Sequence, residues 1–94
     1  MAMYGVLNKG AVAILEVLYS MNGKVSERAF ITEISNRHYY MLYARGKQPL
    51  INAGLIDFQL ENYDKIIVLT EKGKKVAEKI VEINEILKQQ PDTN

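Results

Sequence analysis

The chain has 94 residues, 48% of them apolar and 24% charged, which fits one soluble globular domain around a single core. It contains no cysteine and one histidine, His38, so disulfides, thiol chemistry and multi-histidine metal sites are excluded, and no metal or cofactor is expected. Twelve basic against eleven acidic residues leave a net charge of +1; no apolar run nears the ~20 residues of a membrane span, and the start lacks a signal-peptide layout.

Residues 8–21 read as a helix: Ala11, Ile14, Leu15 and Leu18 recur at helical spacing, Asn8 caps the start, and Asn22-Gly23 ends it. A second helix opens at Ser26. Val25 and Phe30 have the spacing of a hydrophobic staple, and Phe30, Ile31 and Ile34 form a buried face up to about Asn36. The third segment, about 37–53, turns Tyr39, Tyr43, Gly46, Leu50 and Ala53 inward. Its outward face carries Arg37, Met41, Ala44, Arg45, Gln48 and Asn52, with Tyr40 and Lys47 at the flanks. Pro49 predicts a kink there; the alternative is that Gly46 ends one helix and a short turn follows.

Beyond Gly54, residues 55–60 and 65–69 read as two strands of a hairpin, with Asn62-Tyr63-Asp64 as turn chemistry. Thr70 caps a long last helix in which Val76, Ile80, Ile83 and Leu87 share a face, with Ala77 and Val81 alongside. The tail, 90–94, is expected to fray. There is no internal repeat or linker, so residues 1–94 form one continuous domain: a core over 8–70 and a final helix over 71–89.

Charge is unevenly placed along the chain. Residues 1–23 sum to zero, 24–48 to +3, 49–71 to −3 and the remainder to +1. All three arginines and three of the six tyrosines lie between positions 28 and 45. Arginine interleaved with tyrosine suits phosphate contacts and packing on sugar or base, although core packing explains the tyrosines equally well.

Three helices, a hairpin and a long helix, mainly α with a β-hairpin wing, form a restrictive order. The segment Leu50-Ile51-Asn52-Ala53-Gly54-Leu55-Ile56 is similar to the end of the recognition helix and the start of the wing in small winged helix-turn-helix regulators. Leu69-Thr70-Glu71-Lys72-Gly73, about fourteen residues on, resembles the exit from that wing. The succession resembles prokaryotic MarR- and PadR-like regulators and the small winged-helix proteins of archaea and their viruses. The resemblance implies double-stranded DNA as partner, with the third helix in the major groove. It also implies transcriptional regulation in the cytoplasm, at the nucleoid.

On that footing Arg37, Arg45, Gln48 and Asn52, with Tyr40 and Lys47 beside them, are the candidate readers. Arginine pairs with guanine edges, and glutamine or asparagine with adenine edges. Arg28 is a candidate phosphate contact, and Tyr63 and Lys65 are the candidates on the wing. Tyr39 and Tyr43 are expected to pack in the core and His38 to be a surface residue at a helix start. The wing tip is acidic, with Glu61 and Asp64 opposing DNA, which keeps open a winged helix that binds protein instead, or an architectural binder of low specificity. The last helix is too apolar for a monomer of this size. Val76, Ile80, Ile83, Ile86 and Leu87 are therefore expected at a homodimer interface, unless the first helix and Met3, Tyr4 and Leu7 cover them. No acid–base pair, nucleophile–histidine constellation, phosphate loop or metal motif supports an enzyme, and nothing identifies an effector ligand.

Overall fold

In the computed structural model, residues 3–89 are described, and the tail expected to fray lies outside them. The elements run α1 (Met3–Val6), α2 (Lys9–Ser20), β1 (Lys24–Ser26), α3 (Glu27–Arg37), α4 (Tyr40–Asn52), β2 (Ile56–Glu61), β3 (Asp64–Leu69) and α5 (Glu71–Lys88). The expected three helices, wing and long final helix are present, with a short helix and a third strand added. None of the helices among the described residues is long and apolar enough to cross a membrane.

The core is built on α2. Asn8 accepts from the Ala11 amide at 2.8 Å to start it, and Ala11, Ala13, Ile14, Leu15, Val17 and Leu18 are all buried. Its end is a closed motif. The Asn22 amide donates to the Tyr19 carbonyl and the Gly23 amide to that of Leu18, with Asn22 at φ 69°. Against α2 pack Phe30 and Ile34 from α3, Tyr43 and Leu50 from α4, and Ala77 and Ile80 from α5.

The sheet has three antiparallel strands in the order β1-β3-β2, one more than the expected hairpin. Lys24, Val25 and Ser26 pair with Val68, Ile67 and Ile66 of β3. A three-residue strand with one apolar side chain has no readable alternation; its extended form is supplied by a partner strand 40 to 44 residues away. Ser26 then accepts from the Ala29 amide at 3.2 Å and starts α3 as expected.

The third segment is shorter than expected, because α4 begins at Tyr40 and not near 37. His38 and Tyr39 are extended, at φ −145° and −76°, and form the joint between α3 and α4. This moves two predicted side chains. Arg37 closes α3, paired with Glu33 at 2.8 Å, and is not on the outward face of α4. Tyr39 stands 84% exposed outside the core, because a residue ahead of the first turn escapes the helical wheel that turned it inward. His38 is half-buried in this joint, beside Leu42 and the start of α2.

Helix α4 runs through Pro49 as one helix, so the reading that ended it at Gly46 does not hold. Proline removes the amide that would bond the Arg45 carbonyl, and the Asn8 side-chain amide donates to that carbonyl across the helix pair at 3.4 Å. Gly46 has a different role. A Cβ there would lie 2.3 Å from backbone atoms of Gly10 and Ala11, and one on Gly10 would lie 2.1 Å from the Leu42 carbonyl oxygen. The two helices touch backbone to backbone.

At the end of α4, Gly54 takes φ 74°, and the Gly54 and Leu55 amides bond the Ile51 and Leu50 carbonyls at 3.0 and 2.9 Å. This turn redirects the helix into β2, and only glycine adopts it without strain. Thr70 secures the joint: its hydroxyl donates to the Gly54 carbonyl at 2.6 Å and accepts from the Gly73 amide at 2.9 Å. Lys72 adds a bond to the Ala53 carbonyl at 2.9 Å. The end of α4, the root of the wing and the start of α5 are therefore one unit.

Gly46→Ala is expected to lower stability by about 2 kcal/mol or more, although alanine favours an isolated helix by about 1 kcal/mol over glycine. Chemical denaturation measures it; a midpoint equal to that of the unsubstituted protein would contradict the close contact.

Candidate nucleic-acid interface

Burial of Tyr43, Gly46 and Leu50 against α2 fixes which way α4 faces. Met41, Ala44, Arg45, Gln48 and Asn52 are consequently exposed, in agreement with their periodicity. Arg45 forms no ion pair among the described residues, which leaves its guanidinium free. One turn on, the Gln48 side-chain amide donates to Asn52 Oδ1 at 2.9 Å. The pair keeps a free acceptor on Gln48 and free donors on both residues. Tyr40 is half-exposed, its ring 6.1 Å from that of Tyr43.

The wing follows from its turn. Asn62 and Tyr63 both have positive φ, 51° and 66°, the backbone of a two-residue turn that matches the twist of antiparallel strands. Asparagine tolerates that region; tyrosine does so only at a cost, and Tyr63 is 99% exposed at the tip. The strands extend one residue further toward the turn than expected, to Glu61 and from Asp64. Glu61, one of the two acids that counted against DNA, is paired with Lys24 at 2.8 Å. Between the first turn of α3 and the wing tip lies a groove of about 480 Å³, lined by Glu27, Arg28, Ile31, Thr32, Tyr63, Asp64 and Lys65. Arg28 is thereby placed beside the two wing candidates.

Lys47 and Lys65 meet at a residue the sequence did not single out. Glu27, the first residue of α3, accepts from the Tyr43 hydroxyl at 2.5 Å. It also lies 3.6 Å from the Lys47 ammonium and 3.7 Å from that of Lys65. Phe58 of β2 lies against both lysines, with Lys47 5.3 Å and Lys65 4.6 Å from its ring centre. Partial burial pushes the Glu27 carboxyl up, but the Tyr43 hydroxyl and the Lys65 and Lys47 charges outweigh it and hold it below the ordinary carboxylate range. Tyr43 is shifted the other way, upward, by its burial and by the hydrogen bond and charge of Glu27. A glutamate at the start of a helix reads locally as a partner for the helix dipole, so nothing nearby in the sequence marked this cluster.

The expected interface residues on α5 fall into two groups. Ile80 is buried against the chain's own α2, and Val76 is half-buried near Val6, Leu7 and Leu55. Ile83, Ile86 and Leu87 are 54%, 63% and 74% exposed. Cover from α2 stops where Asn84 bonds Glu16, and the N-terminal residues lie at the opposite end of α5.

The chain superposes on the F-93 protein of SSV1 with a TM-score of 0.71 and 24% identity, over 88% of this chain and 93% of that one. The match to F93 from STIV, described as a winged-helix DNA-binding protein, has a TM-score of 0.64 and 25% identity, over 79% and 85%. The chain folds as a winged helix. A DNA-binding protein of Sulfolobus solfataricus, Sso10a-2, matches with a TM-score of 0.57 and 21% identity, over 86% and 85%. No protein-family model and no curated sequence matches. In the terms of this winged helix, α4 is the helix that follows the turn, and β2–β3 is the wing.

Because the Glu27 carboxyl is depressed on folding, its contribution is complete above the ordinary carboxylate range and is lost as the pH falls through its lower folded value. Glu27→Gln should therefore show a flatter loss of stability on acidification than the unsubstituted protein, measured by denaturation at a series of pH values. Parallel curves would show that Glu27 is not coupled to folding.

Proposed function

We propose that this protein binds double-stranded DNA through α4 in the major groove, as a homodimer, and acts as a transcriptional regulator at the nucleoid. The observation that carries the reading is the outward face of α4. It presents an arginine with no ion pair among the described residues and a linked amide pair, held on a helix whose roll is fixed by backbone contact with α2. These are the side chains whose geometry matches guanine and adenine edges. The names of two structural neighbours, F93 from STIV and Sso10a-2, describe DNA-binding proteins, which supports the same reading. Arg28, Lys47, Lys65 and Tyr63 serve as contacts to phosphate and sugar, and Tyr40 lies at the edge of the reading face. Arg37, paired within α3, is the weakest member of the expected set. The role is binding and occupancy, with no bond made or broken.

Dimerisation rests on Ile83, Ile86 and Leu87, which stand exposed among the described residues at the end of an 18-residue helix. A twofold mate covering them would present two α4 helices to half-sites about one helical turn apart.

A titration of duplex DNA at two salt concentrations tests the reading. Specific sequence should bind at least about a thousandfold more tightly than random duplex, and Arg45→Ala with Gln48→Ala should remove most of that ratio. Equal affinity for all sequences would indicate an architectural binder. Absence of DNA binding at low salt would favour the protein-binding module that the acidic wing motivates. Tyr63→Gly should stabilise the hairpin by about 1 kcal/mol while weakening DNA binding, since it relieves a left-handed tyrosine and removes the exposed ring. Ile83→Glu with Leu87→Glu should convert a dimer to a folded monomer by sedimentation; an unchanged mass would reject the α5 interface.

A further inference from the structure

The lysines best placed to link α4 to the wing are already engaged within the protein. Lys47 and Lys65 share the carboxylate of Glu27, one on each oxygen, at 3.6 and 3.7 Å. Glu27 is held from beneath by the Tyr43 hydroxyl, and its side chain is only 19% exposed, against 33% for Lys47 and 51% for Lys65. The carboxylate is thus the least exposed, hydrogen-bonded member of the cluster, and the ammoniums are the more solvent-facing ones. Both ammoniums also lie over the Phe58 ring, Lys47 at 5.3 Å and Lys65 at 4.6 Å from its centre. An anion flanked by two cations at these distances is the arrangement a backbone phosphate would make with the same two lysines.

We propose that Glu27 is an internal stand-in for a DNA phosphate: it holds Lys47 and Lys65 in register and competes with the nucleic acid for them. It is a positioning residue, acting through the lysines and not on DNA. Resting on the DNA-binding reading, the proposal adds that the protein's affinity is restrained from within. Each phosphate engaged by these lysines must draw charge away from a partner already in place. The lysines then contribute less affinity, and release fewer counterions, than free lysines would. The cluster also joins three elements, since Glu27 is on α3, Lys47 on α4 and Lys65 on β3. A phosphate accepted there is sensed by the reading helix and the wing together.

Glu27→Gln tests this with the fold preserved, because the amide oxygen still accepts from Tyr43. The control is Asp57→Asn, which removes the same charge from an exposed site on β2 that forms no ion pair among the described residues. Affinity for duplex DNA is measured over a range of salt. Glu27→Gln should bind about tenfold more tightly at low salt and steepen the dependence of log K on log salt by about one to two, as one or two lysines become free to pair with phosphate. Asp57→Asn should change affinity by no more than about twofold. In a Lys47→Ala, Lys65→Ala background the gain from Glu27→Gln should disappear. If both substitutions gave the same gain, or the gain survived loss of the lysines, Glu27 would act only through net charge and the proposal would fall. If no form of the protein bound duplex at any salt, the DNA-binding reading would fall and take this one with it.

Discussion

Two helices in this protein meet at backbone distance, and most of the architecture depends on that contact. With Gly10 on α2 against Leu42 and Gly46 on α4, no side chain separates the helices at their crossing. Close approach of this kind leaves little freedom to slide or roll, because any movement drives carbonyl oxygens into neighbouring backbone. Tyr43 and Leu50, one turn to either side, then fall into the core, and Arg45, Gln48 and Asn52 are forced outward. The outward face of α4 therefore follows from a packing constraint on the opposite side of the helix. The joint at Gly54 and Thr70 carries the constraint forward, so that α5 leaves the domain at an angle set by the end of α4.

Electrostatics completes what packing begins. The net charge of +1 is a poor guide to this surface, because the cations are sorted by their partners and not by their number. Arg45 has no ion pair among the described residues, Arg37 and Lys24 are engaged with acids of their own, and Lys47 and Lys65 divide one carboxylate between them. Exposed pairs such as Lys24–Glu61 add little stability, typically below about 1 kcal/mol. Their effect here is on where positive potential remains available. The acidic wing is less hostile to DNA than its composition implies, since Glu61 already has its cation. The basic half is correspondingly less cationic than its count.

The parts of the fold that were legible in the sequence are those whose determinants are local. Asn8, Ser26 and Thr70 cap the helices they precede, Asn22 and Gly54 turn them, and the spacing of Tyr43, Gly46 and Leu50 gives the inward face of α4. The same periodicity supplied Arg45, Gln48 and Asn52. The features that were not legible depend on distant partners. β1 is a strand because β3 offers it an edge, and Glu27 matters because the fold brings residues from α4 and the wing to it. The joint at His38 and Tyr39 was hidden for another reason. Neither residue is a turn former, so a helical wheel drawn through them assigned Arg37 and Tyr39 to faces of a helix that had not yet begun.

Asn8 shows how narrowly one position can be specified. Its oxygen caps α2, a task that serine, threonine or aspartate performs about as well in an isolated helix. Its nitrogen turns to the carbonyl that Pro49 leaves without an amide on α4. Of the common capping residues only asparagine carries an acceptor and an NH₂ donor on one short side chain. The proline toward the end of α4 and the asparagine before the first long helix are therefore two halves of one sequence requirement. Exchange of that cap for a chemically equivalent one would be silent in α2 and felt in α4.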